Sequence, residues 1–486
     1  MRRAFFLLAG LLCLPLAAQA QDSSAANWRA LTQVDVEAAH SLLSDNHPAA
    51  THTVNDPAFM AALKSAYADA HAHALKATNY PGYVATLGAF ANAMGDGHIW
   101  SHPLYVPNII QWVGIMTTKR GPNWVVASED QNIVGEDIVG ARIVSCDGVP
   151  VDDFARDTLG RYQRVWSVEA MRVLAAPRLL VDEGNPFVKR PSACVVEQNG
   201  SQRVIALHWK NISRATFVAS IKGVTGKAGY GIRQVGQGYW ISLETLGVQA
   251  QAVIDAAKAQ QEQLRSAAYV VVDVRGNGGG DDDYGRKLVD ILYGHDYAAA
   301  HIGEGGNDAA CQPVWRASPE NVKAVDAEAQ VFAQTGETAG AKEYSEAVIT
   351  MHKALQAHRE LTGNPVCVPP QGMPVATNAT SLIHGRVILL TDSVCFSSCI
   401  NVAGFFRQLG ATLVGQTTGA DTHFSEVREI TLPSGLSTFS TLQAIETDMP
   451  RAVGPYAPDM PYDSDISDTA ALETWISQTV VPAASK

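Results

Sequence analysis

Charged side chains are scarce in this chain: Asp, Glu, Lys and Arg make up 17% of its 486 residues, with a formal net charge of -12. No stretch concentrates lysine and arginine. A phosphate backbone or an anionic membrane surface demands a basic face, which argues against nucleic acid and anionic lipid as partners. After the N-terminal twenty residues no apolar run approaches the length that crosses a bilayer, so no membrane span is expected. Internal repeats and low-complexity tracts are absent, which sets aside solenoid and fibrous architectures. Cysteine and histidine nowhere take a zinc-site spacing, and Gly303–Gly306 lacks the strand-to-helix context and trailing acid of a dinucleotide site. No cofactor or metal is therefore implied. Asp281, Asp282 and Asp283 are consecutive, so their side chains diverge; a solvated loop that disfavours acidic substrate side chains fits them better than a metal site.

What is present is globular. Hydrophobic residues make up 47% of the chain, and its length suggests two or three domains. Met1-Arg2-Arg3, the apolar stretch 4–17 and the small residues of Ala18-Gln19-Ala20 read as a secretory signal peptide over 1–20, cleaved before Gln21. Export to the periplasm or the exterior follows. Without Cys13 in that segment, six cysteines remain, an even number suited to an oxidising compartment. Pairing neighbours in sequence gives Cys146 with Cys194, Cys311 with Cys367 and Cys395 with Cys399, among 15 possible connectivities.

Residues 21–104 read as a helical N-terminal region. Phe59, Leu63, Tyr67 and Leu75 recur at helical spacing, as do Tyr83, Leu87 and Phe90. Residues 105–212 read as β-rich, and Gly140–Gly148 is similar to the glycine-bounded turn of PDZ modules, which bind extended peptides at a sheet edge. From 213 to 486 strands and helices alternate, the grammar of an α/β domain. An insertion at about 301–378 holds two helical stretches and is bounded by Cys311 and Cys367, as a disulfide-clipped lid would be.

Two segments of the α/β region carry chemistry. Val387–Leu390 is an apolar strand leading through a turn of small residues into a helix that ends at Gly410. A serine at such a turn has its hydroxyl held out of the sheet, beside the unpaired amides that open the helix. Earlier, Val270–Val274 is a buried strand running into Arg275-Gly276-Asn277-Gly278-Gly279-Gly280. Glycines in series let backbone amides approach a reacting group closely, as an oxyanion hole requires.

Together these segments resemble the tail-specific (C-terminal processing) serine peptidases, closer to the branch of the tricorn core protease. The strand ending in Asp273-Val274-Arg275 with Asn277 and the following glycines matches one motif, and Thr391 to Cys399 matches the serine loop. Gly415-Gln416-Thr417-Thr418-Gly419 is similar to a third, and all three fall in the family's order. The resemblance implies a crotonase-type ββα spiral in the catalytic domain and a polypeptide substrate. It implies Ser397 as nucleophile, rather than Ser393 or Ser398, with the amides of Gly279 and Ser398 forming the oxyanion hole.

A serine hydroxyl needs a base. The lysine that many members use is missing from Thr417–His423, so histidine is expected instead. His98, in Gly95-Asp96-Gly97-His98, sits at the matching motif, with His423 as rival. The orienting acid is expected beyond the nucleophile, at Glu446 with Asp448 beside it, although the family's glutamate motif is incomplete around Gly454 and Asp459. The expected function is hydrolysis of peptide bonds in unfolded or C-terminal segments. The alternatives are a catalytically inactive peptide-binding protein of the same fold, or an esterase using the same serine.

Overall fold

The strands Tyr269–Asp273 and Arg386–Thr391 carry the apolar runs 269–272 and 387–390, and such runs persist only where both faces of a sheet are covered. In the computed structural model, which describes residues 24–135, 137–221, 224–302, 311–336, 338–367, 379–447 and 449–483, they are neighbouring central strands of a six-stranded sheet. Its order is Tyr230–Val235, Gly238–Leu243, Tyr269–Asp273, Arg386–Thr391, Thr412–Gly415 and Met460–Pro461. The first pair is antiparallel and the rest are parallel. Helices Val248–Ala259, Asp283–Tyr293 and Ser398–Gln408 pack on one face through Val253, Leu288 and Phe406. The other face meets the C-terminal helix through Leu472 and Ile476. The protein is thus α/β, as expected, and the carboxyl ends of the two central strands stand side by side, where open parallel sheets carry their sites.

The N-terminal region is helical: Ala25–Asn46, Pro57–Ala74 and Tyr80–Ala93. Asp56 and Asn79 cap the second and third helices, each followed by Pro near N1, where the missing amide costs nothing. Tyr83, Leu87 and Phe90 are buried as their spacing indicates, whereas Leu75 closes its helix and stays 53% exposed. These helices pack on an antiparallel sheet of Phe424–Thr431, Ser437–Ile445, Ser101–Pro103 and Val314–Trp315, with the Phe90 and Phe439 ring centroids 5.6 Å apart. The short strand Ser101–Pro103 joins the sheet edge and so fixes the preceding residues, His98 among them.

The β-rich region has its own core around Trp124, Val126, Ile143 and Val196. Asp147 and Gly148 both take positive φ (46° and 81°), the requirement of the tight hairpin turn between Cys146 and Val149. Cys146 lies opposite Cys194 across the strands and is bonded to it. The other two expected disulfides, Cys311–Cys367 and Cys395–Cys399, are also formed. The insertion folds as a helical hairpin, Pro319–Thr335 and Thr338–Gln356, resting on the antiparallel sheet through Trp315 and Ala444. The segment 1–20, Asp448 and the insertion residues 303–310 and 368–378 lie outside the described residues. Among the described residues no helix is long and apolar enough to cross a membrane.

Candidate active site

The chain leaves the strand Arg386–Thr391, turns through 392–397 and enters the helix Ser398–Gln408. Ser397 sits at the cap of that helix with φ 56° and ψ -136°. An L-residue adopts this backbone only where its surroundings enforce it, and such residues gather at reactive sites. Ser393 is buried and donates its hydroxyl to Gln416 Oε1 (3.0 Å). Ser398 donates its own to the Gly280 carbonyl (2.6 Å). The Ser397 hydroxyl is uncommitted among the described residues and lines a cleft of about 720 Å³ that His98, Asp421 and Glu446 also line.

The glycine turn lies against this serine. A Cβ on Gly279 would come within 2.8 Å of Ser397 Cβ and 3.2 Å of the Ser398 nitrogen, so only glycine leaves that space open. Asp273 and Arg275, both fully buried, pair at 2.7 Å beneath the turn, and Asn277 anchors it by donating to the Leu243 carbonyl (2.9 Å). The Gly279 amide, expected in the oxyanion hole, donates to Asn277 Oδ1 (2.9 Å). Among the described residues the Gly280 and Ser398 amides have no acceptor in the protein.

His98 is almost wholly buried, its ring 4.6 Å from that of Phe396, the residue before the serine. Its backbone is held twice: the amide donates to Asp96 Oδ1 (2.8 Å) and the carbonyl accepts from Ser440 Oγ (2.7 Å). Nδ1 lies 2.9 Å from Asp421 Oδ1. That bond fixes the tautomer with the proton on Nδ1 and leaves Nε2 as the basic nitrogen. Burial by itself would lower the pKa of His98, but the hydrogen bond and charge of Asp421, with Asp96 behind them, outweigh it and raise it above 6.5. Burial raises Asp96 above the usual carboxylate range, while His98 opposes the rise.

This geometry corrects the expectation for the acid. The carboxylate on Nδ1 is Asp421; Glu446 lines the same cleft but lies beside Glu426 rather than on the histidine, and Asp448 lies outside the described residues. His423, the rival base, is absent from the cleft wall; its ring packs 4.5 Å from Phe424, and burial and then Arg451 lower its pKa. Asp421 stands in the very stretch searched for a lysine, so attention to any ionisable group there would have found it. Glu426 was also missed. It has φ 61°, accepts from the Tyr344 hydroxyl of the insertion, and burial pushes it up to about 7.

Asp281, Asp282 and Asp283 do not diverge as their adjacency suggests: one carboxylate oxygen of each lies within 4.8 Å of the others. Asp96, His98 and Asp421 likewise present ligand atoms close enough together to hold a metal ion. Part of their acceptor capacity is already engaged within the protein. Asp96 accepts the His98 amide and the Thr422 hydroxyl (2.7 Å), and Asp421 accepts the Thr422 amide (2.7 Å) beside the imidazole. The Asp421 bond to Nδ1 suits the set to an oriented base. What it can do is deprotonate a hydroxyl in the cleft and return the proton to a leaving group.

Residues 240–453 match the family model of peptidase family S41. No curated protein sequence matches the chain. Among solved structures the chain is similar to mature CPAF complexed with lactacystin, at TM-score 0.59 and 13% identity, over 93% of this chain and 98% of that one. It is similar to mature CPAF in a second structure, at TM-score 0.57 and 12% identity, over 94% and 99% of the two chains. The photosystem II D1 C-terminal processing protease also matches, at TM-score 0.35 and 12% identity, over 93% and 98%. At such identities the CPAF likeness shows a shared fold.

Proposed function

The chain carries a domain of peptidase family S41, a family of tail-specific serine peptidases, over residues 240–453, and from that premise we propose that it is an exported serine endopeptidase working through Ser397, His98 and Asp421. Ser397 Oγ would attack the scissile carbonyl as His98 Nε2 takes its proton, with Asp421 holding the imidazole and stabilising the imidazolium. The same imidazolium would then protonate the leaving amine. The developing oxyanion would be met by the Ser398 amide and by the glycine turn, where the Gly280 amide is unengaged and the Gly279 amide is held by Asn277. His98 must be neutral to act, so kcat/KM should rise with pH through a value above 6.5.

The observation that carries this reading is the His98–Asp421 pair lining one cleft with a serine in the left-handed region. Three disulfides and the apolar N-terminal segment support an oxidising, exported setting. We read the α/β unit as the crotonase-type spiral and the β-rich unit as PDZ-like. The Asp147-Gly148 hairpin supports the latter, as an edge on which an unfolded or C-terminal segment could dock.

The test incubates mature protein, and separately Ser397→Ala, with a mixture of denatured proteins and identifies new termini by mass spectrometry. Termini made by the wild type and missing with Ser397→Ala are expected. Identical termini from both would overturn the catalytic reading in favour of an inactive peptide-binding protein. Cleavage of small esters alone would make it an esterase.

A further inference from the structure

One carboxylate at the base of the site takes no part in the scheme above. Asp392 follows the strand Arg386–Thr391 directly, is fully buried, and pairs with no cation among the described residues. Three of its acceptor positions are taken by backbone amides from three segments. Oδ1 accepts from Gly276 (3.1 Å) and Val394 (3.1 Å), and Oδ2 from Gly226 (2.8 Å). Gly276 opens the glycine turn, and Val394 belongs to the turn that ends at Ser397. Gly226 packs so closely on Arg275 that a Cβ there would come within 2.7 Å of its side chain. The direct backbone bond between the two turns, from the Phe396 amide to the Asn277 carbonyl, is long at 3.4 Å. Asp392 therefore ties the turns at their base, while the Ser398 hydroxyl ties them at their tips through the Gly280 carbonyl.

We propose that Asp392 is a positioning residue of the hydrolytic reaction: its ionised carboxylate holds the glycine turn and the nucleophile turn in register, and its protonation lets them separate. This rests on the peptidase reading above. An ionised carboxylate accepts at every lone pair, whereas a protonated one loses its charge and gives one acceptor position to a donor, which weakens its hold on the amides. The charged groups beside it are Asp273 on the neighbouring strand and Arg275, which is bonded to Asp273. Burial pushes Asp392 up to about 6, the three amides pull it back, and Asp273 pushes it further. The sign matters. A carboxyl raised above its unfolded value makes the fold less stable as pH rises through that range, so the ionised form is kept at a cost in stability. A role in stability alone would favour the neutral group.

The experiment compares wild type with Asp392→Asn on a peptide that the wild type cleaves in a Ser397-dependent way. Asparagine keeps an oxygen for Gly276 and Val394, removes the charge and turns a donor towards the Gly226 amide, as a protonated carboxyl can. The expected result is a fall of about tenfold in kcat with KM little changed, the scale of a misplaced reacting group. In the wild type log kcat/KM should fall with acid first with a slope of about one through His98, steepen towards about two over roughly one pH unit below about pH 6 as the tenfold loss is expressed, then return to about one. The variant should keep a slope of about one throughout. An unaltered kcat in a folded variant, or a slope of about one in the wild type down to its acid limit, would overturn the proposal. Should Asp392→Asn not fold, the wild-type slope decides alone. A wild type with no Ser397-dependent cleavage would instead sink the peptidase reading itself, so the two failures are distinguishable.

Discussion

The serine half and the histidine half of the site are built by different means. Ser397 and the glycine turn hang from adjacent parallel strands whose residues Val271, Val272, Leu389 and Leu390 are wholly buried, and short-range bonds shape both turns. His98 and Asp421 are 323 residues apart in sequence and meet because Ser101–Pro103 and Asp421–Thr422 are each pinned by strand pairing to distant segments. The first half is a local conformation resting on a rigid sheet. The second is an assembly, and its precision depends on the N-terminal helices staying docked on the antiparallel sheet. A disturbance of one should therefore show as misplaced atoms, and of the other as a wrong tautomer or a lost base.

The sharpest way to break the comparison is at the pair itself. Asp421→Asn leaves the shape intact but favours the wrong imidazole tautomer, and kcat should fall by about 10⁴-fold, as for the equivalent change in a serine triad. Glu446→Gln, in the same cleft but off the imidazole, should cost less than about tenfold by the same argument. Steady-state kinetics on one peptide would rank the two; a larger loss for Glu446→Gln would return the orienting role to that residue.

Next is the serine half. Cys395 and Cys399 are wholly buried and bracket Ser397, closing a small ring around a residue in an unfavoured backbone region. Replacing both with serine should lower kcat by about 10–100-fold, the scale of a displaced nucleophile. The rate at which a fluorophosphonate labels Ser397 should fall in parallel. Labelling at the wild-type rate would mean that the sheet and the Asp392 contacts suffice without the ring.

The smallest effect is expected one contact further from the chemistry. Thr422→Val removes the hydroxyl that donates to Asp96 Oδ2, itself held to the His98 backbone. A hydrogen bond of this kind contributes about 1 kcal/mol, so kcat/KM should fall by about fivefold, with the acid limb of the pH profile displaced. No displacement would show that Asp96 acts on the backbone of His98 alone.

Much of the serine half could be read from residue order. An apolar strand, a small-residue turn and a helix bounded by Gly410 place Ser397, because each signal is local and short. The cysteine pairs could be anticipated from sequence neighbourhood, and Cys146–Cys194 coincides with a cross-strand register pair. The acid was misplaced for a physical reason. Glu446 follows the strand Ser437–Ile445 and reaches the cleft, but pairing of Asp421–Thr422 with Ala452–Val453 sets Asp421, not Glu446, on the imidazole. A one-residue change of register would turn these side chains to the other face, and no local pattern records which register is chosen. Likewise glycine content indicated a close approach to the serine, but the loan of the Gly279 amide to Asn277 depends on a side-chain rotamer.

Sequence by itself determined the α/β grammar, the strand–turn–helix that exposes Ser397, the glycine turn and histidine in place of lysine as the candidate base, since backbone propensity and burial of apolar runs act over a few residues. Only the tertiary structure decided that Asp421 orients His98, which amides stay unengaged, and that Asp392 binds three loops at once. Those depend on contacts between segments far apart in the chain, chosen by how sheets pair and helices pack rather than by any residue's neighbours.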